Sequence, residues 1–275
     1  MSQNRTKTNS IHGGQLNVAA SIYMEYSDTI TALIERMAKD IKKELIKVFE
    51  QNVMDAAMDA SITSQGRIVL NALLEKWNKE FSKKAKSSTD KMIRKVERNS
   101  ATTLGLSLKQ ISEDVSLKMT LSPEIEEVMK ASTLEAANLI KTLPQQYLAD
   151  VQGQVMRSIT TGRGLQDLVP YLNTKYRQNI RKARNVARDQ TNKAYNNLQK
   201  ARLQKLGIQK FEWMHSGAGK EPRKLHQELN GKIFSFDDPP YIGDMYGQRI
   251  YGIPGEMIFC RCKMRPILEI ANEDE

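Results

Sequence analysis

The thiols and imidazoles that could do chemistry gather in the last quarter of this 275-residue chain. Cys260 and Cys262, in "PGEMIFCRCKMRP", are its only cysteines, and His215 and His226 are two of its three histidines. Together they could form a Cys/Cys/His/His zinc site, since zinc takes thiolate and imidazole ligands in a tetrahedron. A cysteine beside His226 could also serve as an activated nucleophile. Against zinc stands the C-x-C spacing, because structural sites mostly use a C-x-x-C knuckle. On a strand from about Met257 to Met264, C-x-C would put both thiols on one face with Arg261 opposite. No protease signature surrounds either cysteine. The reading taken is therefore structural. Cys260 and Cys262 pack under a Phe211/Trp213 strand as small hydrophobes, Arg223 and Arg261 turn to acidic groups, and His226 bonds loop backbone. No cofactor is expected, with zinc on His226, Cys260, Cys262 and His215 as the alternative. C-x-C neighbours bridge poorly, which points to a reducing compartment during synthesis.

A second constellation is electrostatic. The chain carries a net charge of +10, and between Lys175 and Lys210 eleven basic residues face one acid, Asp189. Arg177, Arg181, Arg184 and Arg188 recur at spacings of four, three and four, which stacks them along one helix face. With Lys182 and Lys193 they are the candidate nucleic-acid contacts, since stacked guanidinium groups grip phosphates through paired donors. An acidic protein surface, or glutamates of the same domain, would satisfy the same stripe. "TTGRG" lacks the Lys-Ser/Thr of a phosphate-binding loop and "SGAGKE" matches it weakly, so a packaging ATPase is excluded.

These residues need elements to hold them. Before Gly207, Gly and Pro are scarce and apolar residues recur every three or four positions. From Gly207 onward lie eight of the fifteen glycines and five of the eight prolines. The expected fold is mainly α with a small α+β C-terminal subdomain: long N-terminal helices, a helical middle and a turn-rich, short-stranded end. A polar, flexible tail is assigned to 1–20 and an N-terminal helical region, for partner docking, to 21–120. A second domain takes 121–268, helical over 121–206 and α+β over 207–268, and an acidic tail 269–275. The first helix spans about Ser21 to Ala60 on the stripe Tyr26, Ile30, Leu33, Met37, Ile41, Leu45 and Val48. The second starts near Gly66 and is interrupted at "KKAKSSTD". Ser122 caps a helix opened by Pro123, and breaks follow at Pro144 and at 161–164. "KFEWMHS" is a strand, with Phe211, Trp213 and His215 on one side. "DDPPYIGDMYGQRIYGIPGE" is a loop. No apolar run is long enough for a membrane span, and no secretory signal is expected.

In order along the chain come the arginine helix "NIRKARNVARDQTNKAYN", Trp213, "PRKLHQELNG" with Arg223, His226 and Gly231, then Pro254-Gly255 and Cys260-Arg261-Cys262. This order resembles the phage head morphogenesis domain of the phage Mu F-like minor head proteins, over about residues 124 to 267. The chain departs from the family pattern at Asp189-Gln190, where a Thr-Glu pair is frequent, and before Arg223, at Gly219-Lys220-Glu221. The resemblance implies a non-enzymatic minor head protein of a tailed phage. It would be present in few copies inside the head near the portal vertex, and in the host cytoplasm during assembly. Its partners would be the portal or major capsid protein and double-stranded phage DNA, in packaging or delivery. Alternatives are a metal- or thiol-dependent enzyme delivered with the genome and a general cytoplasmic DNA-binding protein.

Overall fold

A computed structural model describes residues 8–54, 61–111, 120–217 and 221–271. Outside them fall the start of the expected tail, the end of the first helix at 55–60, part of "SGAGKE" and the end of the acidic tail. The elements in order are β1 (Thr8–His12), α1 (Ala20–Met54), α2 (Ile62–Lys109), α3 (Pro123–Lys141), α4 (Leu143–Thr160), α5 (Leu165–Lys205), β2 (Lys210–Met214), α6 (Lys224–Glu228), β3 (Ile233–Ser235), β4 (Tyr241–Met245), β5 (Gln248–Tyr251) and β6 (Lys263–Ala271). The chain is mainly α with a small C-terminal α+β part, as composition leads one to expect. No helix among the described residues is long and apolar enough to cross a membrane.

The residues group into two compact units, one of 1–22, 92–132 and 189–275, the other of 23–91 and 133–188. This differs from a boundary near residue 120. Long helices contribute residues to both units, a partition that a change in composition along the chain does not reveal.

The all-helical unit is built on the stripe of α1, of which all seven expected residues are buried. Tyr26 Oη lies 2.8 Å from Thr89 Oγ1, and Trp77 Nε1 donates to Asp40 at 2.9 Å, so these stretches of α1 and α2 run antiparallel. The expected break at "KKAKSSTD" is absent. Phe81, Ala85 and Thr89 continue one buried stripe straight through it. Ser88 Oγ turns back to the Lys84 carbonyl at 2.7 Å, so this serine satisfies itself inside the helix rather than capping an end. Lys175 pairs with Asp150 at 2.5 Å and Tyr171 Oη donates to the Asp150 carbonyl, which sets α4 against the start of α5. Pro144 sits in the first turn of α4, and the positive φ of Gly162 and Gly164 ends that helix, as expected.

The other unit holds a four-stranded antiparallel sheet in the order β1-β6-β2-β3 and a separate β4-β5 hairpin. The residues 8–12 assigned to a flexible tail form its edge strand, with Ile11 opposite Leu268. The stretch read as a loop contains the hairpin. Tyr246 and Gly247, with φ of 53° and 77°, form its two-residue turn. Ser122 directs its hydroxyl to the Glu124 carboxylate rather than to a backbone N–H, while Glu126 N bonds the Ser122 carbonyl. The Ser122 hydrogen bond holds that carboxyl below its ordinary range.

Candidate functional site

β2 places Trp213 at the centre of the sheet, fully buried and opposite Met264 of β6. Gly231, at φ 76°, returns the chain so that its N–H bonds the Trp213 carbonyl at 2.8 Å. The single turn α6 then carries His226 inward to 2% exposure, edge-on to the indole at 5.2 Å between ring centres. His226 Nε2 lies 3.0 Å from the Ile242 carbonyl. A carbonyl only accepts, so Nε2 carries the proton and, in the neutral ring, Nδ1 presents its lone pair. His226 thus bonds loop backbone as the sequence suggests.

Nδ1 faces both thiols, 3.4 Å from Cys260 Sγ and 3.6 Å from Cys262 Sγ. The three donor atoms lie within 4.8 Å of one another and all three residues are buried. The expected strand register does not bring them there, because β6 begins only at Lys263 and both cysteines precede it. A turn does so. Cys260 N bonds the Met257 carbonyl at 2.9 Å, and Phe259 adopts φ 60°, unusual for a non-glycine residue. Asp189 Oδ1 accepts the Phe259 N–H at 2.5 Å, and Asn192 Nδ2 donates to the Cys260 carbonyl at 2.9 Å. Cys262 and His226 hold Cys260 far below the ordinary thiol range, whereas Cys260 and burial push Cys262 up. Burial opposes charge on His226, but the Cys260 sulfur outweighs it and raises the imidazole.

Sequence reasoning missed Asp189 and Asn192 as the anchors of this turn. The available signal was Asp189 itself, the one acid in the basic run. Among the described residues Arg223 does not meet an acid. Its Nη2 donates to the Ile258 carbonyl at 2.9 Å, fixing the same turn from the other side. Arg261 is exposed. His215 follows β2 and does not join the cluster; its Nδ1 accepts from Gly217 N. A different buried carboxylate, Glu212, receives His12 at 2.9 Å and Arg265 at 3.2 Å across the sheet.

Pro254 and Gly255 are buried where the turn departs. Gly255 has φ 93°, and a Cβ there would lie 2.5 Å from Asn196 Nδ2 and 3.1 Å from Asn192 Nδ2. Gly255→Ala therefore combines backbone strain with displacement of the side chain that holds Cys260. The expected loss is about 2 kcal/mol in urea unfolding, together with faster alkylation of the two thiols in the folded protein. Alkylation at the wild-type rate would contradict the coupling.

The arginines lie on α5. Arg177, Arg181 and Arg184 are exposed, and among the described residues no carboxylate pairs with them. Their azimuths, with that of Arg188, fall within an arc of about 60° at 3.6 residues per turn. Arg188 differs in its environment. It is half-buried, with its guanidinium 4.9 Å above the Tyr23 ring. Lys182 and Lys193 lie off this face by the same period, and Lys182 donates to Gln146.

Residues 149–265 match the family described as phage Mu protein F like protein. An uncharacterized protein of Haemophilus influenzae is 27% identical over 246 residues, covering 89% of this chain and 53% of that protein. The chain thus spans about half the length of this curated relative. No solved structure matches. The matched segment contains the arginine face, Trp213, His226 and both cysteines, so the likeness to the phage Mu protein F-like family falls on the residues of both candidate sites.

Proposed function

We propose that the protein is a non-enzymatic minor head protein of a tailed bacteriophage. It acts in head morphogenesis and in packaging or delivery of the genome, inside the head near the portal vertex and in few copies. The family match supports a role in phage head morphogenesis. The observation that carries the DNA contact is the exposed face of Arg177, Arg181 and Arg184, three guanidinium groups on one arc that no carboxylate among the described residues neutralises. Such a face fits the regularly spaced phosphates of a duplex, and association should then release counterions. The N-terminal helices are the surface offered to the portal or major capsid protein. The burial of Cys260 and Cys262, at 4% and 3% exposure, disfavours a thiol enzyme, because a substrate has no approach to either sulfur.

Binding of the purified chain to duplex DNA should weaken steeply with salt. Replacing Arg177, Arg181 and Arg184 by alanine should reduce the slope of log K against log salt by about 2.7, at roughly 0.9 per phosphate contact. Circular dichroism of the triple variant should stay that of the wild type, since none of the three side chains packs inside. An unchanged slope eliminates the DNA contact on this face, and absence of the protein from purified heads by mass spectrometry eliminates the virion role.

A further inference from the structure

The buried cluster of His226, Cys260 and Cys262 has the dimensions of a metal site. Zinc bonds of about 2.3 Å to sulfur and 2.0 to 2.1 Å to nitrogen, at tetrahedral angles, place sulfur and nitrogen about 3.5 Å apart. The two distances here are 3.4 and 3.6 Å. We propose that His226 Nδ1, Cys260 Sγ and Cys262 Sγ bind a zinc ion that fastens the 257–262 turn and α6 beneath β2.

Three further observations support it. The Ile242 carbonyl fixes the His226 proton on Nε2, the arrangement by which an outer partner orients a metal-binding imidazole. Nδ1 offers one lone pair or one N–H and so serves one sulfur well; two sulfurs at nearly equal distance are better explained by a shared cation than by two hydrogen bonds. Finally, Trp213 Nε1 is a buried donor without a hydrogen-bond partner beside the His226 ring, and a metal-bound thiolate sulfur is an acceptor of the kind it lacks. The objection that C-x-C lacks the turn of a C-x-x-C knuckle does not hold, because the two cysteines lie on a turn held by Asp189, Asn192 and Arg223. The described residues supply three donors, which leaves one tetrahedral position to solvent or another small ligand. The site is a stabilising one and stands apart from the head-protein reading.

The full chain, produced with added zinc and freed of loose metal by gel filtration, should contain about one zinc ion per molecule by elemental analysis. The Cys260→Ser/Cys262→Ser variant should contain none. Cobalt(II) added to chelator-treated wild-type protein should give an intense thiolate-to-cobalt charge-transfer band, and chelation should make both thiols reactive to iodoacetamide. Folded wild-type protein with substoichiometric zinc and no cobalt band overturns the proposal. So does zinc that persists in the double serine variant, or a pair of cysteines found oxidised to each other in metal-free native protein. Should the serine variant not fold, the cobalt band of the wild type decides alone.

Discussion

Trp213→Ala is expected to destabilise the sheet-containing unit by about 3 to 5 kcal/mol, the range for deleting a fully buried aromatic ring. The residue is 0% exposed, and both its backbone groups are held, the N–H by the Lys232 carbonyl at 2.9 Å and the C=O by Gly231 N at 2.8 Å. The backbone can therefore do little to close the cavity, and the loss should fall near the upper end. His226 would lose the ring that meets it edge-on, and with it the wall that screens Cys260 and Cys262. Urea unfolding followed by the amide circular dichroism of the sheet gives the free energy, and iodoacetamide labelling of the native state gives thiol exposure. The other tryptophan, Trp77, belongs to the all-helical unit, so the fluorescence that remains in the variant reports that unit alone. Trp213→Phe should recover more than half of the loss, because it refills most of the volume. A loss below about 1 kcal/mol, or thiols as protected as in the wild type, would refute the keystone role of this ring.

The features that were legible in the sequence are those with a local signal. The α1 stripe obeys the helical period residue by residue, and every position it names is buried. Pro123 and Pro144 mark helix starts because a missing N–H is tolerated there. What was not legible depends on distant partners. Residues 8–12 become a strand only because Leu268 and its neighbours, at the other end of the chain, offer an open edge. A five-residue polar segment carries no period strong enough to announce that. The stretch "KKAKSSTD" reads as an interruption, but Thr89 within it is buried against Tyr26, and that contact outweighs local propensity. The cysteine site was half legible. The residue types and their order pointed to His226 with Cys260 and Cys262. The geometry that joins them rests on Phe259 at positive φ and on Asp189, seventy residues earlier in the chain. A strand assumption hid that turn and, with it, the nearly equal sulfur–nitrogen distances.

Glu97→Ala should be the other severe variant, again by about 3 to 5 kcal/mol, for an electrostatic reason. Arg202 lies within the basic run that reads as a surface footprint, yet it is only 3% exposed. Its Nη2 donates to Glu97 Oε1 at 2.5 Å and its Nε to Ser100 Oγ at 3.1 Å. Gln199, one turn earlier, donates to the Ser100 carbonyl at 3.0 Å, and Tyr195 meets Thr103 at 2.6 Å. These contacts form a polar ladder between the last turns of α2 and α5, where apolar side chains would ordinarily sit. Removing the carboxylate strands a guanidinium that cannot lose its proton in a site with little water. The double variant Glu97→Leu/Arg202→Met removes both charges and fills the space with apolar atoms, and it should unfold within about 1.5 kcal/mol of the wild type. Comparing the two separates the cost of an orphaned charge from the worth of the contact itself. If the double variant loses as much stability as Glu97→Ala, the ladder is stabilising through its hydrogen bonds and not through charge neutralisation. The loss caused by Glu97→Ala should also change little between low and moderate salt, because a pair this buried is screened far less than the exposed Lys91–Glu25 pair.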